Sequence, residues 1–362
     1  MNPTLQLAKS SWPRSGCDKA NRSHATIPGA KIGRIACEFE LPSPNIEMDE
    51  YFCHPSACVI TDTMELRVIH RGALSAISLD GDILWSVELR DNKGQPYEDW
   101  SSPVALENGA CLVAFPDNGC VHIYNDQGEC LDQRAFDNML DRSGYPPNIT
   151  NDGNLIISST SGEVFSSNST QMITLGIFGY DILTPAIYSD DSLAIPGYYG
   201  TGFCRVSVSG EIIWRTDFAE ADLLPTINTQ NMVAIGSLNE DKSAFYTEDG
   251  ELLGTYGRAA IFAEYSADSW IALSDQYIAK LTLSGSEIWG YSLHSEGFGY
   301  NQPIVDSQGH IYFINNGVLL CFSGEGKLIF ETDINSEDIG GLCCVSSGKM
   351  ACVAQGKLVI IE

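Results

Sequence analysis

Apolar and polar residues alternate at every second position in short stretches along nearly the whole chain. The pattern is plainest in GALSAISLDGDILWSVEL, Gly72 to Leu89. There Leu74, Ala76 and Ser78 point one way and Ala73, Ser75 and Ile77 the other, and the alternation resumes around Ile83, Trp85 and Val87. Successive side chains of a strand face opposite sides, so the stretch predicts two strands. Asp80-Gly81 between them predicts a tight hairpin turn, with glycine accepting a positive φ.

The unit recurs. Its turn glycine returns as Gly128, Gly210, Gly250, Gly285 and Gly326, and a decayed copy stands near Gln171. A spacing of about 40 residues with some four short strands per copy predicts a β-propeller, because a single blade cannot bury both of its faces. Residues 32–41, IGRIACEFEL, alternate like an outer strand but have no preceding strands of their own. The C-terminal GLCCVSSGKMACVAQGKLVIIE supplies three strands and lacks a fourth. Joining the two ends completes a blade and removes open sheet edges. The fold class is therefore all-β, a single eight-bladed propeller closed by the N-terminal strand. The copies near 145–176 and 260–290 are the weakest, and if one of them is an insertion the count falls to seven. Prolines at 55, 103, 147, 185, 225 and 303 mark the starts of inner strands, where no ladder bond is lost.

The repeat G-x-L-x-A-I-x-x-D-G followed by x-I-L-W resembles the pyrroloquinoline-quinone-like (PQQ-like) propeller family in its BamB-like form. The matching segments are Gly72–Trp85, Ser207–Trp214, Leu281–Trp289 and Gly317–Phe330. Trp12-Pro13-Arg14-Ser15-Gly16-Cys17-Asp18 is similar to a W-P-x-x-G-x-D lead-in found in such proteins. The resemblance implies the fold and says little about function, since the family holds quinone dehydrogenases as well as an outer-membrane assembly lipoprotein. The chain is much shorter than those dehydrogenases. Their vicinal disulfide has a counterpart in Cys343-Cys344, but this pair falls inside a predicted strand, where adjacent side chains face opposite ways. A quinone cofactor is therefore not expected.

Residues 1–31 lack alternation and hold Pro3, Pro13 and Pro28. They predict an extended arm packed across the propeller of residues 32–362, with Trp12 as its anchor. No stretch predicts a membrane span, and Met1 to Ser11 has no apolar core of signal-peptide length, which predicts a cytoplasmic protein. Twelve cysteines without a C-x-x-C pair then predict packed thiols, and the sequons at Asn21, Asn148 and Asn168 should be unmodified.

The 47 acids outnumber the 20 bases, giving a net charge of −27. That excludes nucleic acid as a natural partner, since phosphate binding needs a basic footprint. The excess concentrates in the segments that link an outer strand to the next inner strand, which meet around one mouth of the ring. Fourteen acids fall there: Glu47, Asp49, Glu50, Asp91, Glu98, Asp99, Asp137, Asp141, Asp181, Glu220, Asp222, Glu296, Glu337 and Asp338. Eight residues precede the inner strands and should line the mouth. Trp100, Tyr145, Asp222 and Asp338 are candidates for binding a ligand. His54, Arg258, Tyr300 and Asp181 could supply acid–base chemistry. The first reading is a non-catalytic interaction module whose acidic, aromatic-bearing face takes a cationic protein or peptide, or a small molecule. The alternative is a lyase or isomerase acting at the mouth. No histidine spacing supports a zinc or iron site; the carboxylates leave calcium open, although no D-x-D-x-D-G loop is present.

Overall fold

The computed structural model describes residues 5–42, 57–94, 102–115, 120–135, 146–159, 162–167, 172–178, 183–197, 202–218, 220–293, 302–336 and 339–362. Within these, the alternating stretches form eight four-stranded antiparallel sheets. Blade 1 runs from inner strand Val59–Ile60 through Leu66–His70 and Ala73–Ile77 to outer strand Ile83–Glu88. Blades 2 to 7 repeat that order. Their inner strands are Val104–Ala105, Asn148–Ile149, Ala186–Ile187, Thr226–Ile227, Ile261–Ser266 and Ile304–Val305. Their outer strands are Cys130–Ala135, Met172–Ile177, Ile212–Arg215, Leu252–Tyr256, Glu287–Ser292 and Leu328–Asp333. Blade 8 has Cys343–Ser346, Lys349–Ala354 and Lys357–Ile361, and Ile35–Glu40 pairs antiparallel with the last of these. The two weak copies are complete blades, so the count is eight and the closure joins the two ends of the chain.

The hairpin between third and fourth strands is wider than Asp80-Gly81 alone predicts. Ser78 N donates to Asp82 O at 2.9 Å and Gly81 N to Ser78 O at 3.0 Å, which makes a three-residue turn with Gly81 at φ +92°. The Ser78 hydroxyl accepts the N–H of Asp82 at 3.0 Å. Asn125, Ser207, Thr247, Thr282 and Ser323 open the later turns in the same way, each accepting the N–H four residues on. A short oxygen-bearing side chain three residues before the glycine is thus part of the signal.

The N-terminal arm enters the axis of the ring, and from Ser11 on it visits every blade in turn. An inner strand is an edge of its sheet, so its axis-facing N–H groups have no ladder partner and need another acceptor. Backbone carbonyls of the arm supply it. Trp12 O accepts Ile60 N at 2.8 Å, Pro13 O accepts Ala105 N at 2.7 Å, and Lys19 O accepts Ile187 N at 2.7 Å. Ala20 O, Arg22 O and Ser23 O accept Ile227 N, Glu264 N and Val305 N, each at 2.9 Å. Blade 3 reaches Lys19 O through Asn148 Nδ2 at 2.8 Å, and blade 8 accepts the Ser11 hydroxyl at Cys344 O at 2.9 Å. The arm then leaves between blades 7 and 8, where Ser307 N and Gly348 N donate to Ile27 O and Pro28 O, and it continues into Ile35–Glu40. Asn21 and Asn148 are fully buried by this path, so neither sequon is open to modification in the fold.

Candidate functional site

Loop 11–25 fills the bore with Trp12, Arg14, Cys17, Asn21 and Ser23, all buried. It can turn so tightly because Gly16, Cys17, Asn21 and Ser23 all take positive φ. Arg14 locks it, donating from Nη1 to Asp18 O and to Asn21 Oδ1, both at 2.6 Å. Burial lowers the guanidinium to about 10, so it stays charged at neutral pH. Asn21 Nδ2 reaches Pro225 O at 3.0 Å, and Gln302 Nε2 reaches Asn21 O at 3.1 Å and Phe262 O at 3.0 Å. The Trp-Pro-x-x-Gly-x-Asp lead-in is therefore a plug. Its residues are the part of the bore that alternation could not reveal, because nothing in their spacing says which strands they meet.

Of the eight mouth candidates, His54, Trp100, Tyr145, Asp181, Tyr300 and Asp338 lie outside the described residues. Asp222 and Arg258 are described, and each serves its own neighbours. Asp222 is half-buried; its carboxylate accepts Leu238 N at 2.7 Å and Asn239 Nδ2 at 3.4 Å, tying the link between blades 4 and 5 to a hairpin of blade 5. Burial pushes its carboxyl above the usual range, against the pull of the N–H groups of Leu238 and Asn239. Arg258 is exposed, with its guanidinium 4.3 Å from the Tyr277 ring centroid. Its own carbonyl accepts the Ser243 hydroxyl at 2.8 Å. Burial pushes the neighbouring Tyr256 phenol up to about 12, with Arg258 opposing.

The rim acids are not all solvent-facing. Asp91 is buried, and its carboxylate accepts Lys93 N at 2.8 Å, so it caps a loop. Near it the structure gathers Cys120, His122 and Asn92, a set whose residue types suit nucleophilic catalysis. Asn92 Oδ1 lies 2.8 Å from His122 Nε2, and Cys120 Sγ lies 3.8 Å from the same nitrogen. Burial pushes the thiol up to about 11 and the imidazole down, so both stay neutral. A thiolate–imidazolium pair needs the opposite shifts, and the Phe115 ring 4.3 Å away makes the site a packed core instead. Among the described residues no group of three or more His, Cys, Asp or Glu is arranged to hold a metal ion, and no helix is long and apolar enough to cross a membrane. Among the described residues, loop 11–25 occupies the bore between the inner strands. Cys343 and Cys344 are both free thiols.

The class is an eight-bladed β-propeller with a plugged axis. BamB from Moraxella catarrhalis shares the architecture at 14% identity, with a TM-score of 0.67 over 91% of this chain and 100% of that one. A europium-containing methanol dehydrogenase matches at 10% identity and TM-score 0.63, over 96% of this chain and 90% of that one. Virginiamycin B lyase from Staphylococcus aureus matches at 10% identity and TM-score 0.54, over 90% of this chain and 98% of that one. The PQQ-like, BamB-type propeller fold read from the repeat is thus the observed fold. No protein-family model matches the sequence, and no curated protein matches it.

Proposed function

We propose that this propeller is an interaction module whose loop face, rich in acids and aromatics, holds a cationic protein or peptide. The observation that carries the reading is the plug. With loop 11–25 bonded to all eight blades, the described part of the axis is closed and not a tunnel, which suits a broad contact surface better than an enclosed reaction chamber. The charge of −27 supplies long-range attraction for a basic partner. In this reading Trp100, Tyr145 and Tyr300 are the aromatic anchors, and Asp181 and Asp338 add to the negative charge of the face. Nothing in this reading requires a cofactor, and a cytoplasmic setting accords with its free thiols.

The second reading, a lyase or isomerase at the mouth, has His54, Arg258, Tyr300 and Asp181 as its acid–base groups, and a lyase shares the fold. Arg258 held over Tyr277 weighs against it. The test compares Trp100→Ala, Tyr300→Ala, His54→Ala and Arg258→Ala for binding to an oligolysine peptide at low and high salt. The module predicts that the aromatic truncations weaken binding by about 2 kcal/mol, roughly thirtyfold, and that salt weakens it further. Binding that none of the four variants alters, at either salt, removes this face as the functional one.

A further inference from the structure

We propose that Cys58 and Cys343 are a redox-dependent closure, able to form a disulfide that covalently joins blade 1 to blade 8. Their sulfurs stand 3.3 Å apart although the residues are 285 positions apart in sequence. Cys58 immediately precedes the inner strand of the first blade, and Cys343 opens the inner strand of the last, so the pair spans the seam where the ring closes. The observed closures of that seam are noncovalent: Ile35–Glu40 on Lys357–Ile361, and Ser11 and Trp12 bridging Cys344 and Ile60. A disulfide sulfur separation is about 2.05 Å, so small side-chain rotations bring the pair together.

The neighbouring thiols are placed differently. Cys344 follows in the same strand and faces the opposite side, and Cys352 sits in the next strand of blade 8, paired across to Val359. The chemistry balances with a small-molecule disulfide as oxidant. One thiolate of the pair attacks a sulfur of oxidised glutathione and releases one glutathione thiol. The second thiolate displaces the other glutathione from the mixed disulfide. Two protein thiols are oxidised, one glutathione disulfide is reduced to two glutathione thiols, and the two protons lost by the protein thiols end on the departing glutathione thiolates. Both thiols are fully buried, and burial holds the Cys343 thiol protonated, so exchange proceeds when the seam opens or before it first closes. In a reducing compartment the pair remains a dithiol. Under oxidising conditions the cross-link joins residues 285 positions apart, and a loop that long strongly restricts the unfolded ensemble.

The experiment refolds the full chain from urea in a glutathione redox buffer, and in parallel incubates the native protein with oxidised glutathione. Free thiols are then alkylated and the peptides mapped without reduction. The expected result is one cross-linked peptide pair containing Cys58 and Cys343 and the loss of two alkylation sites. The oxidised form should unfold at a higher urea midpoint that reductant returns to the dithiol value. Cys344→Ala should keep the cross-link, and Cys58→Ala should lose it. Should Cys58→Ala fail to fold, the wild-type map decides alone. Recovery of fold with every thiol alkylated in both arms, or a cross-link between any other pair, overturns the proposal.

Discussion

The ring of Trp289 lies so close to Gly326 of the next blade that a Cβ built there would stand 2.6 Å from it. The indole N–H donates to Gly324 O at 2.9 Å in the same turn. Trp85 meets Gly128 and Asp126 O in this way, and Trp214 meets Gly250 and Glu248 O. The repeated tryptophan and the repeated turn glycine are thus two halves of one inter-blade latch.

Gly326→Ala should therefore destabilise twice over. Gly326 sits at φ +79°, where a side chain costs about 1–2 kcal/mol, and overpacking against the indole adds about 1–3 kcal/mol. In a Trp289→Ala background only the backbone part should remain. Urea unfolding of the four-member cycle checks this; strict additivity would show that the two residues are not coupled.

Trp12 is buried at the head of the plug while its carbonyl holds blade 1. Trp12→Ala should lose about 3–5 kcal/mol, as large core truncations do. Lys9→Ala, on an exposed side chain of the same arm, should leave the urea midpoint unchanged. Deleting residues 1–41 should remove both the plug and the outer strand of blade 8, giving aggregation or a large drop in melting temperature.

Asp306 is a buried acceptor at the point where the arm leaves the bore. Its carboxylate takes Gly29 N and Gln308 N at 2.8 Å, His310 N at 2.9 Å and the Tyr312 hydroxyl at 3.1 Å. Asp306→Ala should cost about 3 kcal/mol or more, since several donors are orphaned together. Limited proteolysis should then cut first within residues 25–34.

Burial raises the thiols of Cys111, Cys204 and Cys321 to about 12 from an ordinary value of 9.0. Between those values the unfolded chain has released these protons and the folded chain keeps them. The unfolded state binds fewer protons there, so stability falls as pH rises, by about 1.4 kcal/mol per pH unit for each thiol. Stability measured from pH 8 to 11 should bend downward above 9, and Cys111→Ala should flatten the slope by the share of one thiol. A flat profile would show that these thiols ionise equally in both states.

Much of the fold was legible in residue order because it is set by local rules. Alternation places side chains on two faces of a strand, glycine permits the αL position of a turn, and both repeat at the spacing of a blade. Eight blades and closure by Ile35–Glu40 follow from counting such units. The turn at Gly81 is wider than Asp80-Gly81 alone implies, since the Ser78 hydroxyl that shapes it acts through a backbone N–H four residues away. Of the mouth residues, Asp222 and Arg258 carry roles that no spacing announces, because their partners Leu238 and Tyr277 lie on other hairpins. The path of the arm lies furthest from local reading. Residues 11–25 have no periodicity, and their carbonyls find a place only against N–H groups that six separate sheets leave unpaired at the axis, with side-chain bonds joining the other two. The proximity of Cys58 and Cys343 is of the same kind. Patterning determined what each blade is, and only ring closure decided what the blades enclose, because that depends on donors brought together from the whole length of the chain.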